Sequence, residues 1–262
     1  MNAYFQLFKY EIKTIYRDML QLYLLLFPFI ILLMGIYIIP LGIDALGNNQ
    51  DAIKYTTLIV IIFLISFGTF LIGAMGSFLL LEHKDEKTIS TISVTPLGIS
   101  GYLKFKIVYI YVFAFISILI VLGGMKMFAS DRYIVNGISL FDQLNYWHVI
   151  TYSLVAALFA PTLSLFQATF AKNKVEGFAI MKLSSMAALV PIIMVLSTFQ
   201  NGLQYLLGIF PNFWSIKAVL NEIYPIQSNA NLPYYGYLGF GVLSSLLILI
   251  ICYSMFKKKV EY

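Results

Sequence analysis

The chain is short of charge. Asp, Glu, Lys and Arg make up only 11% of its 262 residues, where a soluble domain carries roughly 25%. With 60% hydrophobic residues and a mean hydropathy of +0.86, this excludes an ordinary water-soluble fold. Cysteine is nearly absent too. Cys252 stands alone, so no internal disulfide can form. It lies within the last apolar run, where a thiol is usually inert packing rather than a nucleophile. No G-x-x-x-x-G-K-[ST] phosphate loop occurs. The two histidines, His83 and His148, lie far apart and no His/Glu metal spacing surrounds them. Neither a catalytic set nor a metal site is therefore expected, and no cofactor on this chain. No carboxylate falls within an apolar run. Intramembrane carboxylates commonly mark proton relays and ion paths, so their lack argues against an ion-coupled carrier.

Long uncharged runs are abundant. They cover 19–43, 55–81, 107–125, 149–171, 183–216 and 223–256. Each reaches the roughly 20 apolar residues a helix needs to cross a bilayer. The runs are continuous, not alternating over short segments, which favours helices over a barrel. The expected fold is all-α: a polytopic membrane protein of six transmembrane helices, forming a single transmembrane domain over 1–262.

Charge gives the orientation. With both termini in the cytoplasm, the inner basic residues are Lys9, Lys13, Arg17, Lys84, Lys87, Lys104, Lys106, Lys172, Lys174, Lys182 and Lys257–Lys259. Only Lys54, Lys126, Arg132 and Lys217 fall outside. This follows the positive-inside rule at every inner segment. The net charge of +5 is thus spread along membrane ends, where it anchors to anionic lipid, and no nucleic acid is expected as a partner.

Along the chain, 1–18 reads as a retained interfacial helix: Phe5, Leu7, Phe8, Ile12 and Ile15 alternate with Lys9, Glu11, Lys13 and Arg17. Pro28 falls inside the first span and predicts a kink. Gly68, Gly73 and Gly76 punctuate the second span, as small residues do where helices approach closely. A loop is expected over 126–147. Gln167 in the fourth span reads as a helix–helix contact. The run 183–216 is too long for one span, and Gln200-Asn201-Gly202 and Pro211-Asn212 break it. The residues 200–233 therefore read as an outer re-entrant and loop segment, with no seventh crossing. Tyr234, Tyr235 and Tyr237 suit the outer interface.

The polar segment 82–106 is the most informative. The second helix runs out of the membrane through Glu82, His83, Lys84, Asp85 and Glu86. Lys87-Thr88 follows, and Thr95-Pro96 stops or restarts the helix. Ser100 is placed to cap a new helix that climbs into the third span. Taken on its residues alone, the segment is either a solvated loop or a short helix presented to a partner.

The whole chain resembles the type-2 permease family of ATP-binding-cassette transporters, which are mainly exporters. The resemblance rests on order and topology: an interfacial helix, six spans, and an acidic and basic cluster after the second. In the family that cluster leads to Gly-Thr, then to Thr/Ser-Pro about seven residues on. Here Lys87-Thr88 and Thr95-Pro96 occupy those places, with Lys87 where the glycine is usual. Lys104 or Lys106 matches the lysine entering the third span, and Pro211-Asn212-Phe213-Trp214 resembles the family's proline-aromatic segment.

The resemblance implies a permease subunit of an exporter for a hydrophobic or amphipathic cargo, such as a peptide, toxin, antibiotic or lipid-like molecule. ATP and magnesium would sit on separate cytoplasmic ATPase subunits. A second permease, identical or related, would complete the pathway. Glu82, Lys84, Asp85, Glu86, Lys87, Thr88, Thr95 and Pro96 would form the coupling helix that docks on the ATPase. The competing readings are a non-transporting anchor or immunity protein and a membrane-embedded enzyme.

Overall fold

The computed structural model describes residues 2–86, 88–94, 97–225 and 231–261. Among these, six helical stretches are long and apolar enough to cross a membrane. The chain is an all-α, multi-pass membrane protein.

Helix α1 (Asn2–Arg17) leads through one residue into α2 (Met19–Leu33). That residue, Asp18, caps α2: its carboxylate accepts from the Leu20 N–H at 3.0 Å. Pro28 lies inside α2 without ending it. A π-helical turn, Met34–Ile38, then joins α2 to α3 (Ile39–Asp44), completing the first span, Met19–Asp44. The turn has a local cause. The Ile39 N–H serves the Met34 carbonyl, and Pro40 has no N–H to offer the Gly35 carbonyl. Tyr133 supplies the missing donor, its hydroxyl donating to the Gly35 carbonyl at 2.6 Å.

Helix α4 (Gln50–Asp85) has 36 residues. At 1.5 Å per residue it is about 54 Å long, well beyond the ~30 Å hydrocarbon core, so one end must project. The short α5 (Thr88–Ser93) follows. The third span, Gly98–Phe128, comprises α6 (Gly98–Ile118), a second π turn (Leu119–Gly123) and α7 (Gly124–Phe128). It starts at Gly98, whose φ of +60° turns the chain into the helix. Residues 98–106 of the expected polar segment are thus helical. Lys106 is buried and paired there, so its charge does not end the helix.

The loop expected over 126–147 is partly folded. Strands β1 (Ile134–Val135) and β2 (Ile138–Ser139) pair antiparallel around Asn136 and Gly137, both at positive φ. An Asn-Gly pair of this kind forms a tight hairpin turn that follows the strand twist. Tyr133, Val135, Leu140 and Phe141 bury their side chains beneath it.

The fourth span, Tyr146–Phe170, is α8 (Tyr146–Ala156) and α9 (Phe159–Phe170). They part because Pro161 cannot donate to the Ala157 carbonyl; Ala160 takes that acceptor at 3.2 Å in a tighter turn. The fifth span, Lys174–Val195, is α10 (Lys174–Leu189) and a 3₁₀ turn (Val190–Val195). The sixth, Tyr234–Val260, lies in α12 (Tyr234–Glu261).

Between the fifth and sixth spans, the sequence predicts a re-entrant piece and then a loop. No described helix there is of crossing length. However, part of the expected re-entrant and loop segment 200–233 is a helix. A 3₁₀ stretch, Gly202–Ile209, precedes α11 (Pro211–Ile223), whose Ser215, Ile216, Lys217, Ala218 and Val219 are all enclosed. Trp214 fixes this helix: its indole donates to the Gly208 carbonyl at 2.9 Å and stacks on Phe240 of α12. Tyr234 and Tyr237 are likewise pins rather than interface anchors. Tyr234 donates to the His148 carbonyl at 2.7 Å, and the Tyr237 hydroxyl lies 2.9 Å from that of Tyr205. Tyr235 is exposed, as expected of an interface residue.

The second and fourth spans form the enclosed centre; the first, fifth and sixth are mostly uncovered. The second-span glycines serve close packing. A side chain on Gly73 would meet Leu163 and the Ala160 carbonyl, and one on Gly76 would meet Ile110 and Ser164. Ser164 donates to the Gly73 carbonyl at 2.6 Å. Gln167 packs as expected, its amide donating to the Ser184 hydroxyl.

Candidate coupling site

At the end of the bundle where both termini lie, α4 finishes in Glu82-His83-Lys84-Asp85. Four successive helical positions cover slightly more than one turn, so these side chains point in four directions. Together they meet five elements. Glu82 accepts from the Gln21 amide of α2 at 3.1 Å and lies 3.5 Å from the Lys174 ammonium of α10. Lys174 is also 3.6 Å from Asp18. Lys84 donates to the Ala171 carbonyl at 2.7 Å and the Ala168 carbonyl at 3.3 Å. These are acceptors at the C-terminal end of α9, where carbonyls lack helical donors and a cation suits the helix dipole. Lys259 of α12 closes the same end through the Thr169 carbonyl at 2.7 Å. Asp85 accepts from the backbone N–H of Lys174 at 3.0 Å, at the start of α10.

His83 is the centre of a buried cluster. Its Nδ1 lies 2.8 Å from the Thr88 hydroxyl of α5, and that hydroxyl also donates to the His83 carbonyl at 3.2 Å. Thr88 has one hydroxyl hydrogen. With that hydrogen on the carbonyl, Nδ1 is the donor. The other ring nitrogen lies 3.6 Å from Glu11 of α1. Glu11 in turn pairs with Lys106 of α6 at 2.6 Å, and both side chains are sealed from solvent. Burial pushes the Glu11 carboxyl up. The Lys106 ammonium and the His83 ring outweigh it and hold the carboxyl below its usual range. Tyr102 completes the enclosure, its ring 5.4 Å from His83 and facing the Lys106 ammonium at 5.5 Å.

The expected coupling residues therefore divide. Glu82, Lys84, Asp85 and Thr88 all engage the bundle. Glu86 is exposed at the end of α4. Lys87, Thr95 and Pro96 lie outside the described residues. On α5, Ile89 is buried, whereas Val94 just past it is 83% exposed. Of the two lysines entering the third span, Lys104 is exposed and Lys106 is paired. Glu11, Asp18, Gln21 and Lys174 complete the arrangement, and nothing in their local sequence marks them. The result is a joint: α5 is fixed to α4, and α4 to α1, α2, α6, α9 and α10.

The profile of the family described as "Fluoroquinolones export permease protein Rv2686c-like" matches residues 11–253. The chain belongs to this export permease family. The match begins at Glu11 and takes in the first five spans, most of the sixth, and the joint from Glu11 to Lys174. Two relatives are the fluoroquinolones export permease proteins Rv2686c and MT2760 of Mycobacterium tuberculosis, strains H37Rv and CDC 1551. Each is 26% identical over 215 residues, which is 79% of this chain and 78% of the relative. The permease also holds an apolar cavity of about 260 Å³ between its fourth, fifth and sixth spans, with Phe159, Phe166, Ile209 and Cys252 on its walls. Its hydroxyls are already used: Thr162 donates to the Leu158 carbonyl and Ser184 to the Ile180 carbonyl. The cavity therefore suits an apolar group and has little with which to recognise a polar one.

Proposed function

We propose that this permease is the membrane subunit of an ATP-driven exporter for a hydrophobic or amphipathic cargo. Cytoplasmic cassette ATPases carry the ATP and magnesium, and a second permease, identical or related, completes the pathway. Both termini and the α4–α5 joint lie in the cytoplasm. The observation that carries this reading is the division of labour around α5. The inner residues of the joint hold the bundle, while Glu86 and Val94 stand free at its tip. A partner that grips the tip moves a connected set of helices. The uncovered first, fifth and sixth spans are available to lipid and the second permease.

Mechanically, ATP binding can drive transport only by favouring one arrangement of the two permeases over another. The joint transmits that preference, because α5 cannot shift without α4, and α4 cannot shift without its charged neighbours. Rigid-body motion of one permease against the other then opens and closes the path between them.

The test is reconstitution. The permease is copurified with candidate cassette ATPases, and ATP hydrolysis and drug export are measured in liposomes. Val94→Asp and Glu86→Ala should leave the permease folded yet lower both ATPase association and export at least several-fold. Unchanged association and export in both variants would remove α5 from the coupling role.

A further inference from the structure

At the end of the bundle away from the termini, the first and third spans meet at their two π turns, Met34–Ile38 and Leu119–Gly123, with Met125 against Gly35 and Leu32 against Gly124. Turns of this kind break the regular side-chain spacing of a helix and recur at functional sites. Two hollows flank this contact, one of about 350 Å³ that the fourth span also walls through Val149 and Ile150, and one of about 610 Å³. They share Leu32 and Phe128 and so adjoin, making a groove in two parts. The inner part is bounded by Leu119, Ile120 and Gly123; the outer part by Ile36, Tyr37 and Arg132.

Three features identify the occupant. The residues of 119–128 that face the hollow are apolar, Lys126 pointing elsewhere, and the stretch is about 14 Å long at 1.5 Å per residue, close to the ~15 Å depth of one leaflet's hydrocarbon. The mouth carries Arg132, and among the described residues no carboxylate lies within ion-pair distance of it. The neighbouring charges are otherwise placed: Lys126 donates to the Phe141 carbonyl, Asp142 accepts from Ser130, and Asp131 is exposed to solvent. Finally, Tyr37, Tyr146 and Trp147 stand exposed at this end, as aromatic residues do at headgroup level. Arg132 is therefore at the height of lipid phosphates, above an apolar slot one leaflet deep.

We propose that this groove binds one membrane phospholipid, with its phosphate on the Arg132 guanidinium and an acyl chain along residues 119–128. A guanidinium offers paired donors that match phosphate oxygens. The site is on the far side of the molecule from the α4–α5 joint and does not depend on the coupling role.

Native mass spectrometry of the purified permease tests this with two probes, phosphatidylglycerol and diacylglycerol of the same chains. The wild type should retain one phosphatidylglycerol about 10-fold more tightly than diacylglycerol, the scale of a charge-assisted hydrogen bond. Arg132→Gln should bring phosphatidylglycerol down to the diacylglycerol level. Gly123→Leu should weaken both, because only Val149 lies within 4 Å of a side-chain carbon placed there and the longer side chain can fill the groove. Arg132→Gln sits on an exposed turn and decides the matter if Gly123→Leu fails to fold. Equal retention of the two probes by the wild type, or unchanged phosphatidylglycerol retention by Arg132→Gln, overturns the proposal.

Discussion

Replacing Lys106 with methionine tests the physics of the joint most sharply. Lys106 and Glu11 are both sealed from solvent and 2.6 Å apart. Removing one partner of such a pair leaves a buried uncompensated charge, at a cost of about 3–5 kcal/mol. The lower end of this range, about 3 kcal/mol, is expected. The double substitution Glu11→Met, Lys106→Met removes the orphan and should recover most of the loss. Cys252 makes the assay direct. It is the lone cysteine and is buried, so its reaction with a fluorogenic maleimide on heating reports opening of the bundle.

Acidity supplies a second readout with a definite sign. In the wild type the folded Glu11 carboxyl titrates below its usual 4.5. Its stabilising contribution is complete above that value and disappears as pH falls through the lower, folded one. In Lys106→Met burial dominates and the folded value rises above 4.5. Stability should then increase as the solution is acidified from about pH 7 towards 5, since protonation neutralises the orphan. Acid slopes of the same sign in both proteins, or a Lys106→Met unfolding midpoint equal to wild type, would refute the argument.

Further outcomes follow from other parts of the molecule. Burial in α11 pushes Lys217 down to about 8; as the unfolded side chain titrates near 10.5, stability should rise with pH between about 8 and 10.5, and Lys217→Met should flatten that rise. Gly76→Ala should destabilise by about 1–3 kcal/mol on thermal unfolding, because the added methyl meets Ile110 and Ser164 in a filled space. For topology, in a Cys252→Ser background, an impermeant maleimide applied to intact cells should label Asn48→Cys and spare Glu86→Cys; the reverse pattern would invert the orientation.

The six spans were legible because the signal is local: each run reaches crossing length without help from distant residues. The joint was half legible. The charges of Glu82–Asp85 are plain in the sequence, but not their direction, since Gln21 meets Glu82 across 61 positions and Lys84 reaches Ala168 across 84. Lys106 is one of two lysines near the third span, and only packing against α1 distinguishes it from Lys104. Helix α11 was hidden for a different reason. The stretch 200–233 reads as a re-entrant piece and loop, broken at Pro211-Asn212, yet Asn212 and Lys217 are enclosed and α11 packs beside α12. The hairpin had a usable signal in Asn136-Gly137, lost among the polar residues around it. The π turn at Gly35 was only half legible, because Pro40 is local but the Tyr133 hydroxyl that completes it lies 98 positions away.

The unbroken course of α4 makes its length a matter of angular phase. Gly76 must face Ile110 and Ser164, and the directions of Glu82, His83, Lys84 and Asp85 are set by the same helix a few residues later. Each residue advances the helix by about 100°. One residue inserted between 77 and 81 would leave the upper helix seated and swing all four polar side chains by that angle. Lys84 would leave the carbonyls of α9, and His83 would lose Glu11 and Thr88 together. Substitutions in this stretch can be absorbed singly, but a change of length cannot. Natural variation along 76–85 should therefore consist of exchanges at constant length, with insertions and deletions displaced to the turns beyond Glu86.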